Sequence, residues 1–155
     1  MELKTKVHAE DGKQDLVITR EFDLPVDLLF KAHIDPDIIG QWMGTKVIEM
    51  ADKKHGSYRF ETADGQGKVL FAASGVFHEL KPNQKIVRTF EMENAPVGVQ
   101  LEIYTFEPLA GERSRLQIHT IYESAAYRDQ TIQYGMGQGI SMAHDRLEKV
   151  VKQSV

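Results

Sequence analysis

The chain has 155 residues, which is the usual length of one domain and enough for a sizeable hydrophobic core. Its formal net charge is −4 and it has no cluster of lysine or arginine, which argues against nucleic acid as a main partner. It contains no cysteine, so disulfides, thiolate nucleophiles and cysteine metal sites are excluded. No apolar signal-peptide core follows Met1, and no apolar stretch approaches the length of a membrane span. From that absence we expect a cytoplasmic protein without a membrane-spanning segment.

The first part of the chain predicts a strand followed by two short helices. Residues 1–14 are polar and mixed, and we expect either a short outer strand or a loose terminal extension. Residues 15–23 alternate in the manner of a strand. The period then changes, and two short helices are expected between residues 25 and 44. Asp35 joins them because it is a favourable N-cap, and Gly44 ends the second helix.

The middle of the chain predicts a series of antiparallel strands separated by turn signals such as Asp64-Gly65. Both faces of residues 68–80 are largely apolar, so both are expected to be at least partly covered. Gly75 within that segment predicts a bulge or bend, which a curved sheet needs. The six strands expected after the two helices are residues 46–50, 56–62, 68–80, 85–93, 97–107 and 113–122.

The last segment, residues 124–151, has the only sustained helical periodicity in the sequence. Strands followed by a helix, without alternation of the two, predict an α+β fold in which one long helix lies across a curved antiparallel sheet. Gly135, Gly137 and Gly139 lack the spacing of a phosphate-binding loop, and instead favour close packing and a kink or a non-helical start near this point. The apolar stripe of the expected helix is Ile132, Met136, Ile140, Ala143, Leu147 and Val150.

Three groups of residues carry a resemblance to a known family. They are Ile18 to Pro25; Asp35-Pro36-Asp37 with Gln41-Trp42-Met43-Gly44; and Gly135-Met136-Gly137 with Asp145-Arg146-Leu147-Glu148. With these residues the chain resembles the helix-grip fold of the START/Bet v 1-like (SRPBCC) superfamily, and within it the domain named after the activator of Hsp90 ATPase. The resemblance covers residues 15–152 as a single domain. It implies a curved antiparallel sheet of six to seven strands, two short helices and one long C-terminal helix.

The resemblance also implies a deep, mostly apolar cavity between the sheet and the long helix. Many members hold lipids, sterols, polyketides or other hydrophobic molecules there, and the Hsp90-activating members use a similar domain to contact a chaperone. The first expectation is therefore binding of a small hydrophobic molecule, without assigned catalysis. Two alternatives stay open: an Hsp90-type chaperone partner, and a cyclase- or hydrolase-like enzyme that uses the same cavity. Exposed edge strands would also allow a homodimer.

Nine side chains are expected to line this cavity, because they lie on the elements that would enclose it. Trp42, the only tryptophan, would pack in the core or line the cavity mouth. His119 and His144 are the two side chains considered as a general base, although nothing in the sequence supports the geometry that a base needs. The spacing of the six histidines matches no metal site, and no cofactor is expected. The nine residues are Trp42, Phe60, Phe71, Tyr104, Phe106, His119, Met136, Ile140 and His144.

Overall fold

The computed structural model describes residues 5–154, which form an α+β fold of eight strands and four helices. Residues 1–4, the start of the predicted N-terminal extension, lie outside the described part. The strands are β1 (Lys6–His8), β2 (Asp15–Phe22), β3 (Lys46–Met50), β4 (Ser57–Ala63), β5 (Val69–Lys81), β6 (Lys85–Met92), β7 (Val99–Leu109) and β8 (Arg113–Ile121). The helices are α1 (Val26–Lys31), α2 (Pro36–Met43), α3 (Ala125–Gln133) and α4 (Met136–Gln153).

The eight strands form one antiparallel sheet in the order β1-β2-β8-β7-β6-β5-β4-β3. Because β1 and β3 are its two edges, the sheet is curved but not closed. The seven strands expected from residue 15 onward are all present. The sheet has slightly more strands than the expected six to seven, because residues 6–8 add the edge strand β1 by pairing with β2.

Irregular pairing accompanies the curvature of the sheet. The register shifts between β3 and β4, between β4 and β5, and again between β5 and β6 at Phe77 to Glu79. The predicted bulge in the long strand is therefore confirmed, just after Gly75. A Cβ atom on Gly75 would lie 1.9 Å from the carbonyl oxygen of Thr89, so β5 and β6 approach each other here as only glycine allows.

The hydrophobic core lies between the sheet and the helices. Strands β2 and β8 bury every second residue, as the alternation of their sequences predicts. Phe22, Leu116 and Ile118 are fully or almost fully buried in this way. The other face of these two strands is only partly covered, so one face of the sheet carries the packing and defines the interior.

Helices α1 and α2 interrupt the chain early, as predicted. The side chain of Asp35 accepts hydrogen bonds from the backbone N–H groups of Asp37 (3.0 Å) and Ile38 (3.4 Å), which caps α2. Gly44 ends the helix in the left-handed conformation, with φ of 64°. Ile39 and Trp42 are the buried residues of α2, so this helix presents them to the interior.

The C-terminal segment contains two helices: the expected long C-terminal helix is α4, and the shorter α3 precedes it. Gly135 has φ of 87°, a left-handed conformation that separates α3 from α4. The predicted break near the glycines is confirmed at Gly135, while Gly137 and Gly139 lie inside α4. Because of the break, Ile132 is not in the apolar stripe of α4 and remains 36% exposed.

Ionic contacts attach α4 to the strand β2 and the residue after it. Arg20, buried on β2, forms an ion pair with Asp145 at 2.6 Å. The carboxylate of Glu148 accepts a hydrogen bond from the backbone N–H of Asp23 at 2.6 Å, and Lys152 contacts the Asp23 carboxylate at 2.7 Å. These contacts place the apolar face of α4 against the core. Within residues 5–154 no helix is both long and apolar enough to cross a lipid bilayer.

Candidate functional site

A cavity of about 470 Å³ lies between the sheet and the helices α2 and α4. Its volume is that of a small-molecule site, which typically measures roughly 300–1,000 Å³. Strands β4 to β8 contribute to one wall, and α2 and α4 form the other. Large apolar side chains make up most of the lining, among them Ile39, Trp42, Phe60, Phe71, Phe90 and Ile140.

The cavity is not fully enclosed, because five of its lining residues are exposed. The lining residues that are themselves exposed are Gly44 at the end of α2, Tyr134 and Gly135 at the α3–α4 break, and Gly139 and Arg146 on α4. We call this set the mouth. The break at Gly135 therefore borders the entrance, and Tyr134, 58% exposed, stands beside it.

Seven of the nine side chains expected at the cavity do line it: Trp42, Phe60, Phe71, Tyr104, Met136, Ile140 and His144. Phe106 is not among the lining residues, since it packs in the core with Phe30 at 5.0 Å between ring centroids and with His33 at 5.3 Å. His119 lies on the other face of the sheet, because its neighbours Ile118 and Thr120 occupy the inward positions of β8. There its Nε2 contacts a carboxylate oxygen of Asp15 at 2.8 Å.

Trp42 is a fixed part of the wall. It is 7% exposed, and its indole N–H donates a hydrogen bond to the carbonyl oxygen of Ala32 at 2.8 Å. His33 contacts the indole edge to face, with ring centroids 5.4 Å apart. Because the indole N–H is already bonded to the protein, Trp42 offers an occupant its aromatic surface rather than a hydrogen bond.

A charged cluster forms the polar part of the wall, and of its four residues only Tyr104 was expected there from the sequence. We call Arg88, Gln100, Glu102 and Tyr104 the polar cluster. Arg88 and Glu102 are directly paired across β6 and β7, and Nε of Arg88 donates to Oε1 of Glu102 at 2.7 Å. Nη2 of Arg88 donates to the Tyr104 hydroxyl at 2.8 Å, and that hydroxyl donates to Oε1 of Glu102 at 3.0 Å. Gln100 donates to Oε2 of Glu102 at 2.8 Å. Both oxygens of the carboxylate are therefore bonded within the cluster.

Aromatic rings hold the guanidinium of Arg88 in position. Its Cζ atom lies 4.9 Å from the ring centroid of Tyr58, 5.0 Å from that of Tyr104 and 5.7 Å from that of Phe90. Burial raises the pKa of Tyr104 well above its usual value, so its phenol stays protonated. The alternation of β6 could have revealed the cluster, since Arg88 shares the inward side with Ile86 and Phe90.

Two buried histidines complete the lining. His33 bonds through Nδ1 to the carbonyl oxygen of Leu29 at 2.8 Å, and burial lowers its pKa to about 4. His144 on α4 bonds through Nδ1 to the hydroxyl of Thr5 at 2.8 Å, and burial lowers its pKa to about 3. Both rings are therefore neutral near pH 7 and only weakly basic. A pKa this low makes His144 a poor general base, although it does reach the cavity.

A second hollow of about 770 Å³ lies on the surface beside the end of β5. Charged side chains of both signs border it: Asp52, Lys53, Lys54, Glu79 and Lys81. Such a lining is typical of a solvated groove. Within residues 5–154 no group of three or more histidine, aspartate or glutamate side chains could hold a metal ion.

Comparisons with known proteins agree with this architecture. Among solved structures, a Rhodobacter sphaeroides protein has a TM-score of 0.85 at 17% identity, with 97% of this chain and 99% of that chain covered. An Arthrobacter aurescens protein has a TM-score of 0.84 at 19% identity, with 96% and 91% covered. A Mycobacterium smegmatis protein has a TM-score of 0.81 at 20% identity, with 97% and 95% covered. At these identities the similarity establishes the fold alone.

No curated protein is significantly similar to this chain in sequence. The model of one protein family does match, over residues 23–152, which is most of the chain and includes all of α1 to β8 and the cavity-lining part of α4. That family is described as the activator of Hsp90 ATPase homolog 1-like proteins. The helix-grip architecture and this match together show that the chain belongs to the family of activator of Hsp90 ATPase homolog 1-like proteins.

Proposed function

We propose that this protein binds a small, mainly apolar molecule in the cavity between the sheet and α4. The observation that carries the proposal is the cavity itself, a space of about 470 Å³ with a mouth and a largely apolar lining. Protein interiors are normally packed with few voids larger than a water molecule. A space of this size that is not filled by side chains supports a binding role, and membership of the family is compatible with one.

A fluorescence titration tests this function. N-phenyl-1-naphthylamine is neutral and apolar, and its emission increases when it leaves water. Titrated into the protein, it should give a saturable increase at one site. Excitation of the lone tryptophan, Trp42, should also transfer energy to the bound dye, because Trp42 lines the cavity.

Two substitutions on neighbouring positions of α4 give a matched control. Ala143 lines the cavity, so Ala143→Phe should fill part of the space and weaken binding by at least about tenfold, which corresponds to 1.4 kcal/mol. Met142 is 53% exposed and does not line the cavity, so Met142→Phe should bind the dye as the unchanged protein does. If both variants bind the dye as tightly as the unchanged protein, or if both bind it equally weakly, the dye does not bind in this cavity. Absence of binding to the unchanged protein would refute the proposal.

A further inference from the structure

The most deeply buried part of the cavity lining contains one positively and one negatively charged side chain. Arg88 and Glu102 are 9% and 7% exposed and are bonded to each other. His33 and His144, the other titratable groups of the inner lining besides the two phenols, are neutral. Arg146 also lines the cavity, but it is exposed at the mouth, where it donates to the carbonyl oxygen of Trp42 at 2.9 Å. The inner end of the cavity therefore carries no net charge.

A hydrogen-bond donor of the polar cluster remains available at this inner end. Nε and Nη2 of Arg88 are used by Glu102 and Tyr104, whereas Nη1 has no hydrogen-bond acceptor among residues 5–154. Arg88 lines the cavity, and 11% of its side chain is accessible. Since Nη1 is not one of the fully inaccessible unpaired atoms, an occupant can reach it.

An unpaired acceptor lies close to the same place. His33 bonds through Nδ1 to a carbonyl oxygen, so Nδ1 carries the proton and Nε2 of the neutral ring is an acceptor. Nε2 is buried and has no partner among the described residues. Unlike Nη1 of Arg88, this atom has almost no accessible surface, so an occupant of the cavity does not reach it. Nη1 of Arg88 is therefore the unpaired polar atom that can select the ligand. Both His33 and Arg88 contact Tyr104, the ring centroids of His33 and Tyr104 being 5.7 Å apart.

We infer that the cavity selects an electrically neutral molecule with a hydrogen-bond acceptor, such as a hydroxyl oxygen, at the end that reaches the polar cluster. The inference rests on the proposed function and specifies the class of ligand. A hydroxyl oxygen can accept a hydrogen bond from Nη1 of Arg88, which Glu102 and Tyr104 leave unused. A carboxylate would add an unbalanced negative charge beside Glu102, and an ammonium group would add a positive charge beside Arg88. Either ion loses its hydration in the cavity without gaining an opposite charge that is free to pair with it.

Three probes of nearly identical shape test the inference by calorimetric titration of the full chain. At about pH 7.5, 4-hydroxybiphenyl is neutral, 4-methylbiphenyl has no hydrogen-bonding group, and biphenyl-4-carboxylate is ionised. We expect the hydroxyl compound to bind about tenfold more tightly than the methyl compound, the effect of one added hydrogen bond to a charged donor. The carboxylate should bind more weakly than the hydroxyl compound by at least about tenfold.

The variant Glu102→Gln should reverse the preference between the ionised and the neutral probe. It keeps the shape of the side chain but leaves Arg88 as an uncompensated positive charge, so biphenyl-4-carboxylate should become the tighter ligand. Glu91→Gln changes the net charge of the protein equally, but Glu91 is exposed on β6 and does not line the cavity, so the order of the probes should stay as in the unchanged protein.

The outcomes separate this inference from the proposed function. If the methyl and hydroxyl compounds bind equally, or if the carboxylate binds the unchanged protein as tightly as the hydroxyl compound, the ligand class is wrong while the cavity still binds apolar molecules. If none of the three probes binds, the proposed function fails as well. The comparison of the three probes on the unchanged protein does not depend on the folding of Glu102→Gln, so it tests the inference without that variant.

Discussion

At the scale of single residues, the ion pair between Arg88 and Glu102 has the largest predicted effect on stability. A buried ion whose partner is removed costs far more than the pair itself contributes. Arg88→Met should therefore lower the free energy of unfolding by about 3–5 kcal/mol, because the Glu102 carboxylate stays buried without its cation. Urea denaturation near neutral pH measures the change.

An exposed ion pair provides the control for this prediction. Arg59 contacts Glu93 at 2.9 Å in a pair that is open to solvent, so Arg59→Met should cause a much smaller loss. The double variant Arg88→Met with Glu102→Met should recover most of the stability, since it leaves no charge buried. Equal losses from the two single variants would contradict the prediction.

The two buried histidines predict a dependence of stability on pH. Their pKa values in the folded protein, about 4 for His33 and about 3 for His144, lie below the ordinary value of 6.5. Below about pH 6.5 the two histidines bind protons in the unfolded chain but not in the folded chain. Their full contribution to the free energy of unfolding is therefore present only above that pH. It should fall as the pH decreases toward 4, by about 1.4 kcal/mol per pH unit for each histidine. Arg88 beside His33 and Arg20 beside His144 act in the same direction.

Urea midpoints at about pH 7 and pH 5 measure this effect before most carboxylates titrate. His33→Phe should roughly halve the difference between the two midpoints, because one of the two histidines no longer titrates. His8 is exposed on β1, so His8→Gln should leave the difference unchanged. A stability that stays constant between the two pH values would show that the two rings are not held neutral.

The alternation of the sequence indicated apolar residues that line the cavity but not the charged residues that line it. Trp42, Phe60 and Tyr104 were expected at the cavity, because large rings on inward positions are typical of a core or a cavity wall. Arg88 and Glu102 occupy inward positions of β6 and β7, yet charged residues are rarely buried and were not considered. Which of the histidines would face inward could not be derived from residue type, and a single step along β8 separates His119 from the cavity.

At the scale of elements, the break between α3 and α4 can be tested by substitution of its glycine. Gly135 has φ of 87°, which a residue with a side chain adopts only at a cost. Gly135→Ala should lower the free energy of unfolding by about 1 kcal/mol, although its Cβ would meet no other atom within 4 Å. Thermal or urea unfolding measures the change.

The neighbouring Gly137 is the matched control, because it lies inside α4. A Cβ there would be 3.7 Å from Val7 Cγ2, an ordinary contact distance, so Gly137→Ala should raise the stability by about 0.5–1 kcal/mol through its higher helix propensity. The opposite signs of the two substitutions would confirm that the helix starts anew after Gly135. A stabilising Gly135→Ala would contradict the break.

The sequence indicated a break among Gly135, Gly137 and Gly139 but not which glycine makes it. Low helix propensity is common to all three, and the left-handed conformation at one of them is decided by the packing of α4 against β1 and β2. The short helix α2 was predicted more closely. Its N-cap Asp35 and terminal Gly44 act through local hydrogen bonds and backbone angles that the sequence itself specifies.

At the scale of the whole molecule, occupation of the cavity should stabilise the fold by mass action. N-phenyl-1-naphthylamine at about 100 times its dissociation constant should add about 2.7 kcal/mol to the free energy of unfolding. For a chain of this size the melting temperature should increase by about 5–10 °C. The Ala143→Phe variant, with part of its cavity filled, should show a much smaller increase at the same dye concentration, whereas Met142→Phe should respond as the unchanged protein does. Equal increases in the melting temperature of all three proteins would show that the dye does not stabilise the protein by binding in the cavity.

The general architecture could be predicted from the sequence because it follows from two simple periods, the alternation of strands and the repeat of the last helices. The edge strand β1 was left open, since three exposed residues carry no pattern of burial. The cavity was expected through the resemblance, and its size could not be derived from composition. The chaperone-partner and enzyme alternatives stay predictions; an unchanged rate in a chaperone ATPase assay would reject the first.

The missing side chain of Gly75 affects the interior through the residues that occupy the space it leaves. The hydroxyl of Tyr58 donates to the carbonyl oxygen of Thr89, and a Cβ on Gly75 would lie 2.6 Å from that hydroxyl as well as colliding with the carbonyl. The ring of Tyr58 in turn supports the guanidinium of Arg88. The absence of a Cβ at Gly75 therefore leaves room for Tyr58, whose ring packs against the guanidinium of Arg88. Gly75 does not itself line the cavity. A larger residue at position 75 should therefore change the relative affinities for the biphenyl probes indirectly, by displacing Tyr58 and with it Arg88.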